Sequence, residues 1–259
     1  MGNNSVFAVF DLETNGFKGA STVSASSIVF TAEGRIVDFF NRFYHSEERP
    51  DHRTERVHGL TPERIVHFRE EERYPSYFLE DWPSLAAFWE RWNPEGIVVH
   101  NLSFDLSFLP REAARGRKWW CSMRGLTDFC KIPKNTDREG EWKWPRLSEA
   151  VRIARERLLE PLPLAETEEA VGPALGHYGL SDCFELYGLF VRVLNHAPER
   201  VCFRPASAAP LSPRRERYPL PSAVRDAFVR ERLDYSARVA EAAGDGERSR
   251  KLRSLAEDG

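Results

Sequence analysis

The sequence is poor in cysteine, and the few it has are scattered. Cys121, Cys130, Cys183 and Cys202 are the four in 259 residues. None stands at the close spacing of a zinc site, and so few in so long a chain do not make a disulfide framework. A reducing, cytoplasmic setting is the expectation. Long hydrophobic runs are missing too. The opening MGNNSVFAVFDLE has no basic stretch ahead of an extended apolar segment. It reads as neither a secretory signal nor a membrane span, so no membrane partner is expected. Val6 stands where a myristoylation pattern needs Ser or Thr. A basic excess is also absent, since the formal net charge is -3. Bulk charge therefore gives no support to nucleic-acid binding. It does not oppose it either, because a carboxylate cluster neutralised by metal needs only a locally positive groove beside it.

What is present is enough apolar material for one substantial core, 41% hydrophobic and 12% aromatic residues. Val6 to Leu12 is apolar on both faces, the pattern of a strand in the middle of a covered sheet. Val23 to Thr31 and Arg35 to Tyr44 read as two more strands joined by a short Gly-containing turn. Thr61-Pro62 marks a helix start, and Trp82 to Trp92 carries a helical stripe ending at Asn93-Pro94. A short buried strand, Ile97 to His100, precedes a helix beginning near Ser103. Trp119 to Met123 reads as a last strand, and Leu147 to Leu159 and Leu180 to Leu194 as amphipathic helices. Residues 160–174, rich in Pro and Glu, read as a loop. Past Ala197 the composition turns to Pro and Arg (Arg200, Arg204, Arg214, Arg215, Arg217), the signature of an extended arm. A polar helix over 222–241 and a frayed end from Gly244 complete the expectation. The resulting division is a domain over 1–197 and a C-terminal extension over 198–259.

Three segments carry candidate chemistry. Asp11 and Glu13 lie two apart at a strand end, on one face, with backbones roughly 6–7 Å apart. Two such carboxylates can converge on one hard cation. Taken alone, the pair also fits an ordinary strand end entering a turn. Asp105 sits one turn into the helix that follows a buried strand, where open α/β sheets place their ligands. An acid there also stabilises a helix dipole with no further role. His177 and Asp182 do not share a face of one regular helix, since five residues rotate by about 500°. With Gly176 and Gly179 around it, His177 falls in a turn and Asp182 in the helix beyond, although His177 also fits a partly exposed surface residue.

Together these segments resemble the DnaQ-like, or DEDDh, 3′→5′ exonucleases. FDLETNGF at 10–17, HNLSFDLSFL at 100–109 and HYGLSD at 177–182 match that family's motifs in order. VHGLT at 57–61 resembles a family segment near the bound 3′ nucleotide. The resemblance covers about residues 5–195. It implies an RNase H-like α/β fold with a mixed central sheet of about five strands flanked by helices, followed by the Pro/Arg-rich extension. It also implies two Mg²⁺ or Mn²⁺ ions roughly 4 Å apart. Asp11 would bridge them, Glu13 and Asp182 would complete one ion site and Asp105 would hold the second ion. His177 would serve as general base. The implied partner is a nucleic-acid 3′ end, single-stranded DNA or RNA. Thr14, Asn15 and Gly16 are expected to offer backbone N–H groups to the terminal nucleotide, and Phe17 and Phe104 to stack on bases or pack in the core. His58 and Asn101 are further candidates by motif position. Lys131, Lys134, Arg138 and Lys143, near Trp142 and Trp144, form either a groove wall or a solvated loop. The extension is expected to grip the strand or to dock a polymerase or other protein, and homodimerisation stays open. Departures from the family pattern are the serines of VSASSIVF at 23–30 and the length of 160–175. The rival readings are an RNA 3′-end trimming enzyme and a catalytically silent nucleic-acid-binding scaffold.

Overall fold

The computed structural model describes residues 5–17, 19–134, 141–158, 179–206 and 221–258. Its centre is a six-stranded sheet of order β3-β2-β1-β4-β5-β6. The strands are β1 Val6–Thr14, β2 Thr22–Thr31, β3 Ile36–Phe43, β4 Ile97–Val99, β5 Lys118–Cys121 and β6 Arg204–Pro205. β1, β2 and β3 form an antiparallel meander, β4 and β5 run parallel to β1, and β6 turns back antiparallel to β5. The strand apolar on both faces thus lies inside the sheet. Phe7 and Val9 of β1 enter one core layer, and Ala8 and Phe10 enter the other.

Helices cover both layers. In chain order they are α1 His52–His58, α2 Pro62–Phe68, α3 Phe78–Trp92, α4 Leu102–Asp105, α5 Ser122–Gly125, α6 Thr127–Cys130 and α7 Leu147–Arg157. Then come α8 Gly179–His196, α9 Ser222–Ala242 and α10 Gly246–Asp258. The cap at α2 is the expected one, with Thr61 Oγ1 accepting from Arg64 N–H and Pro62 at the first position. α3 starts earlier than its stripe suggests, at Phe78, and carries Pro83 inside it. α3 covers the Phe10 layer through Trp82, Leu85 and Trp89, while α8 covers the Phe7 layer through Cys183, Tyr187 and Phe190. β2 is read by the same alternation. Ile28 and Phe30 face α8, Ala25 and Val29 face α3, and Ser27 donates to Val9 O and accepts from Trp89 Nε1.

Two features beyond Ala197 differ from an extended arm with a frayed end. The segment just after it packs on the core. Trp120 Nε1 donates to Arg200 O at 3.1 Å, and the Phe203 ring stacks on Phe7 at 5.7 Å. Gly96 makes room for that ring, since a Cβ there would lie 2.1 Å from it. Further on, the end expected to fray is the helix α10. It folds back along α9 at Gly244, whose φ of 81° is a left-handed value suited to glycine. Leu233, Ala237, Ala240 and Leu252 of this hairpin close over Val66 of α2. An apolar seam inside a sequence that looks polar explains the order there. Among the described residues, no helix is long and apolar enough to cross a membrane. The loop expected over 160–174 and Arg214, Arg215 and Arg217 lie outside the described residues.

Candidate metal centre

Asp11 and Glu13 continue the β1 face that Phe7 and Val9 begin. Apolar packing against α8 gives way there to carboxylates at the strand end. α8 supplies Asp182 from its first turn. One carboxylate oxygen from each of Asp11, Glu13 and Asp182 lies within 4.8 Å of the others. Asp105 arrives from α4, at the end of β4, the parallel neighbour of β1. It is buried, and its charge acts on Asp11 and Glu13. Four acids from three distant stretches therefore meet at the C-terminal ends of the adjacent inner strands β1 and β4.

The approach of α8 depends on small residues. Asp11 pairs across the sheet with Ser26, and Glu13 with Ser24. Gly179 sits over this patch, where a Cβ would come to 3.1 Å from Ser26 Oγ, 3.3 Å from Ser24 Oγ and 3.4 Å from Asp11 Oδ2. The serines that depart from the family pattern thus line the contact that brings Asp182 to Asp11. Cys183 lies beneath the acids with its thiol donating to Ser26 O at 3.3 Å. Burial, and then the surrounding carboxylates, push that thiol far up, so it stays protonated.

Electrostatically the cluster is built for a cation. Burial, then Asp105, Glu13 and Asp182, raise Asp11 well above the carboxylate range. Burial, then Asp182 and Asp105, push Glu13 up to about 8. Burial pushes Asp105 up to about 8, against the opposing backbone N–H groups of Asp105 and Leu12. Among the described residues, no basic side chain contributes to any of these three shifts. A set of oxygen donors that repel one another fits hard divalent cations such as Mg²⁺ or Mn²⁺. His177 lies outside the described residues.

The remaining sequence candidates have distinct fates. Thr14 is buried, and its hydroxyl donates to Gly16 O at 2.8 Å. Asn15 corrects an expectation. Its backbone N–H donates to Ser21 O at 2.8 Å and so is not on offer to a nucleotide. Its amide nitrogen donates to Ser46 Oγ, Glu48 Oε1 and Arg49 O, and its amide oxygen accepts from Asp51 N–H. Asn15 therefore ties the loop after β1 to residues 46–51. Gly16 is half-buried, and Phe17 is 83% exposed, free of the core. Phe104 is half-buried beside Phe108 at 4.9 Å. Asn101 is exposed just before α4. His58 is buried, and its Nδ1 accepts from Leu60 N–H at 3.0 Å. That bond puts the ring proton on Nε2, whose acceptor is the Thr14 backbone. Of the expected basic wall, Lys134 pairs with Glu141 and Lys143 with Glu149. Arg138 lies outside the described residues.

Sequence reading missed the serine-glycine contact under the acids and the role of Glu48 in holding Asn15. The serines were visible as polar residues in an otherwise apolar strand, but the element facing them was not.

No protein-family model matches the chain, and no curated protein matches it. Among solved structures, exonuclease I, in a structure described as suggesting how processivity is achieved, aligns over 76% of this chain and 42% of that one. The TM-score is 0.50 and the identity 13%. A zinc-bound E. coli ExoI–ssDNA complex covers 76% of this chain and 42% of its own, with TM-score 0.49 and 12% identity. Exonuclease X in complex with 5′ overhanging duplex DNA covers 81% of this chain and 99% of its own, with TM-score 0.44 and 18% identity. This chain spans under half the length of the exonuclease I structures it matches. The fold it shares with exonuclease I is the RNase H-like mixed α/β fold.

Proposed function

We propose that the protein is a divalent-metal-dependent 3′→5′ exonuclease. It would cut terminal phosphodiesters of single-stranded DNA or 3′ overhangs and release nucleoside 5′-monophosphates. The observation that carries this reading is the meeting of Asp11, Glu13 and Asp182 within 4.8 Å of one another, with the buried Asp105 close enough for its charge to act on Asp11 and Glu13. The fold shared with exonuclease I supports it. Asp11, Glu13, Asp105 and Asp182 would hold two Mg²⁺ or Mn²⁺ ions. When bound, the ions stabilise charge on the attacking and leaving oxygens. His177 takes the proton of the attacking water on an imidazole nitrogen. The water oxygen bonds to phosphorus as the bond to the 3′ oxygen of the preceding nucleotide breaks.

The test is a digestion panel of single- and double-stranded DNA and RNA with either end blocked, in Mg²⁺, in Mn²⁺ and in EDTA. Strands blocked at the 5′ end are expected to shorten to 5′-monophosphates, those blocked at the 3′ end to persist, and EDTA to abolish cleavage. The His177→Ala protein should turn over about 10²–10⁴-fold more slowly while still binding Mn²⁺. Absence of shortening with Mg²⁺ or Mn²⁺, or shortening from the 5′ end, overturns the reading. RNA shortened in preference to DNA moves the substrate to RNA.

A further inference from the structure

A cleft of about 720 Å³ separates the α1–α2 region from α9. That volume lies within the range of small-molecule binding sites. A narrower inner recess joins it, and Pro50, Glu55, Pro62 and Phe228 line both. The inner recess reaches Asn15, two residues beyond Glu13, and His58, whose ring lies near the Thr14 backbone. The recess thus ends beside the loop that follows the carboxylates of β1.

The lining chemistry favours a base over a phosphate. Arg232 is already paired with Glu63 at 3.0 Å, and His52 with Glu55 at 2.6 Å. Glu231 adds a further acid to the wall and Arg49 a further cation. Such a balanced wall does not concentrate anions. It does offer one buried donor with no partner, Arg232 Nε at the outer wall, whereas His58 at the inner end has the Thr14 backbone as its acceptor. Buried donors without acceptors are costly and point to an acceptor that arrives with a ligand. Base edges carry such acceptors, as ring nitrogens and carbonyl oxygens. Phe228 supplies an aromatic ring on the outer wall, with the Arg232 guanidinium 4.9 Å above it. Aromatic rings stack on bases regardless of sequence.

We propose that this cleft is a nucleobase-binding groove for the substrate strand, with Phe228 of the C-terminal extension as its stacking platform. The inference rests on the exonuclease reading and extends it, because it makes α9 part of the substrate site. A groove completed by the extension would be absent from a chain lacking it.

The test uses the full chain and a 5′-labelled oligothymidylate whose last linkage is a phosphorothioate. Binding is measured by fluorescence anisotropy over a range of salt, beside hydrolysis of the p-nitrophenyl ester of thymidine 5′-monophosphate. Phe228→Ala and Phe228→Leu are expected to weaken strand binding by about 5–100-fold. Phe228→Trp should retain it. The salt slope should not change, because no phosphate contact is lost. Phe228→Leu keeps an apolar side chain at the docked face, so a loss seen in both variants is not unfolding. Wild-type strand binding by Phe228→Leu overturns the groove alone. Wild-type protein that hydrolyses neither the ester nor any strand overturns the exonuclease reading instead, and the groove with it.

Discussion

Gly179 stands where the helix bearing Asp182 touches the strand bearing Asp11. A methyl group there would press on Ser26 Oγ at 3.1 Å and approach Asp11 Oδ2 at 3.4 Å. Relief requires α8 to shift by a few tenths of an ångström, which carries Asp182 away from its partners. Alanine also lowers the entropy of the unfolded chain, which offsets part of the strain. Gly179→Ala is therefore expected to lower kcat by about tenfold with a much smaller change in Tm. Steady-state kinetics and calorimetry on the same preparation check this, and a fall in Tm without loss of kcat would contradict it. Asp11, Glu13, Asp105 and Asp182 were named in the sequence by motifs that resemble the DnaQ-like family, since the strand-end and helix-start positions taken singly also fit ordinary structural roles. The serines beneath them were legible only as anomalies, since the residue that needs them small lies 153 positions away from Ser26.

Among the elements, β1 was the clearest from sequence, since a run apolar on both faces has no stable place except inside a sheet. The short final strand β6 and the ring of Phe203 were not legible, because their worth comes from Phe7, Phe190 and Gly96, none of them local. This decides where the extension can be cut. A chain ending at Ala206 retains Phe203 and the Arg200 carbonyl that accepts from Trp120. A chain ending at Ala197 loses both. Losing that ring is expected to cost about 3 kcal/mol, so the shorter chain should unfold at lower urea than the one ending at Ala206. Equal midpoints would show that Phe203 adds nothing to the core. α10 was missed for the same reason as β6. Its sequence is mostly polar, and only Leu252 and its neighbours, facing α9 and Val66, hold it.

Across the whole molecule, the four acids set a conflict between stability and charge. Glu13 and Asp105 are pushed up to about 8 by burial, whereas an unfolded carboxyl titrates near about 4. Between those values the folded protein holds protons that the unfolded chain has released. Stability without metal is then full below about pH 4 and declines as pH rises through about 8. Melting in EDTA should therefore show Tm falling from pH 5.5 to pH 8.5, and Mg²⁺ should raise Tm far more at pH 8.5 than at pH 5.5. A metal-free Tm that rises across this window, or equal effects of Mg²⁺ at both ends, would argue against a strained acidic centre.

Sequence alone determined the alternation of β1 and the direction of its paired carboxylates, because both follow from backbone geometry within a few residues. It also determined most helices, whose apolar stripes are local patterns. Only the tertiary structure decided that Gly179 closes over Ser24 and Ser26, that Asn15 spends its amide on residues 46–51, and that α9 faces the recess of His58. Each of those depends on which distant surface arrives opposite, and packing between remote segments leaves no periodic trace in the chain.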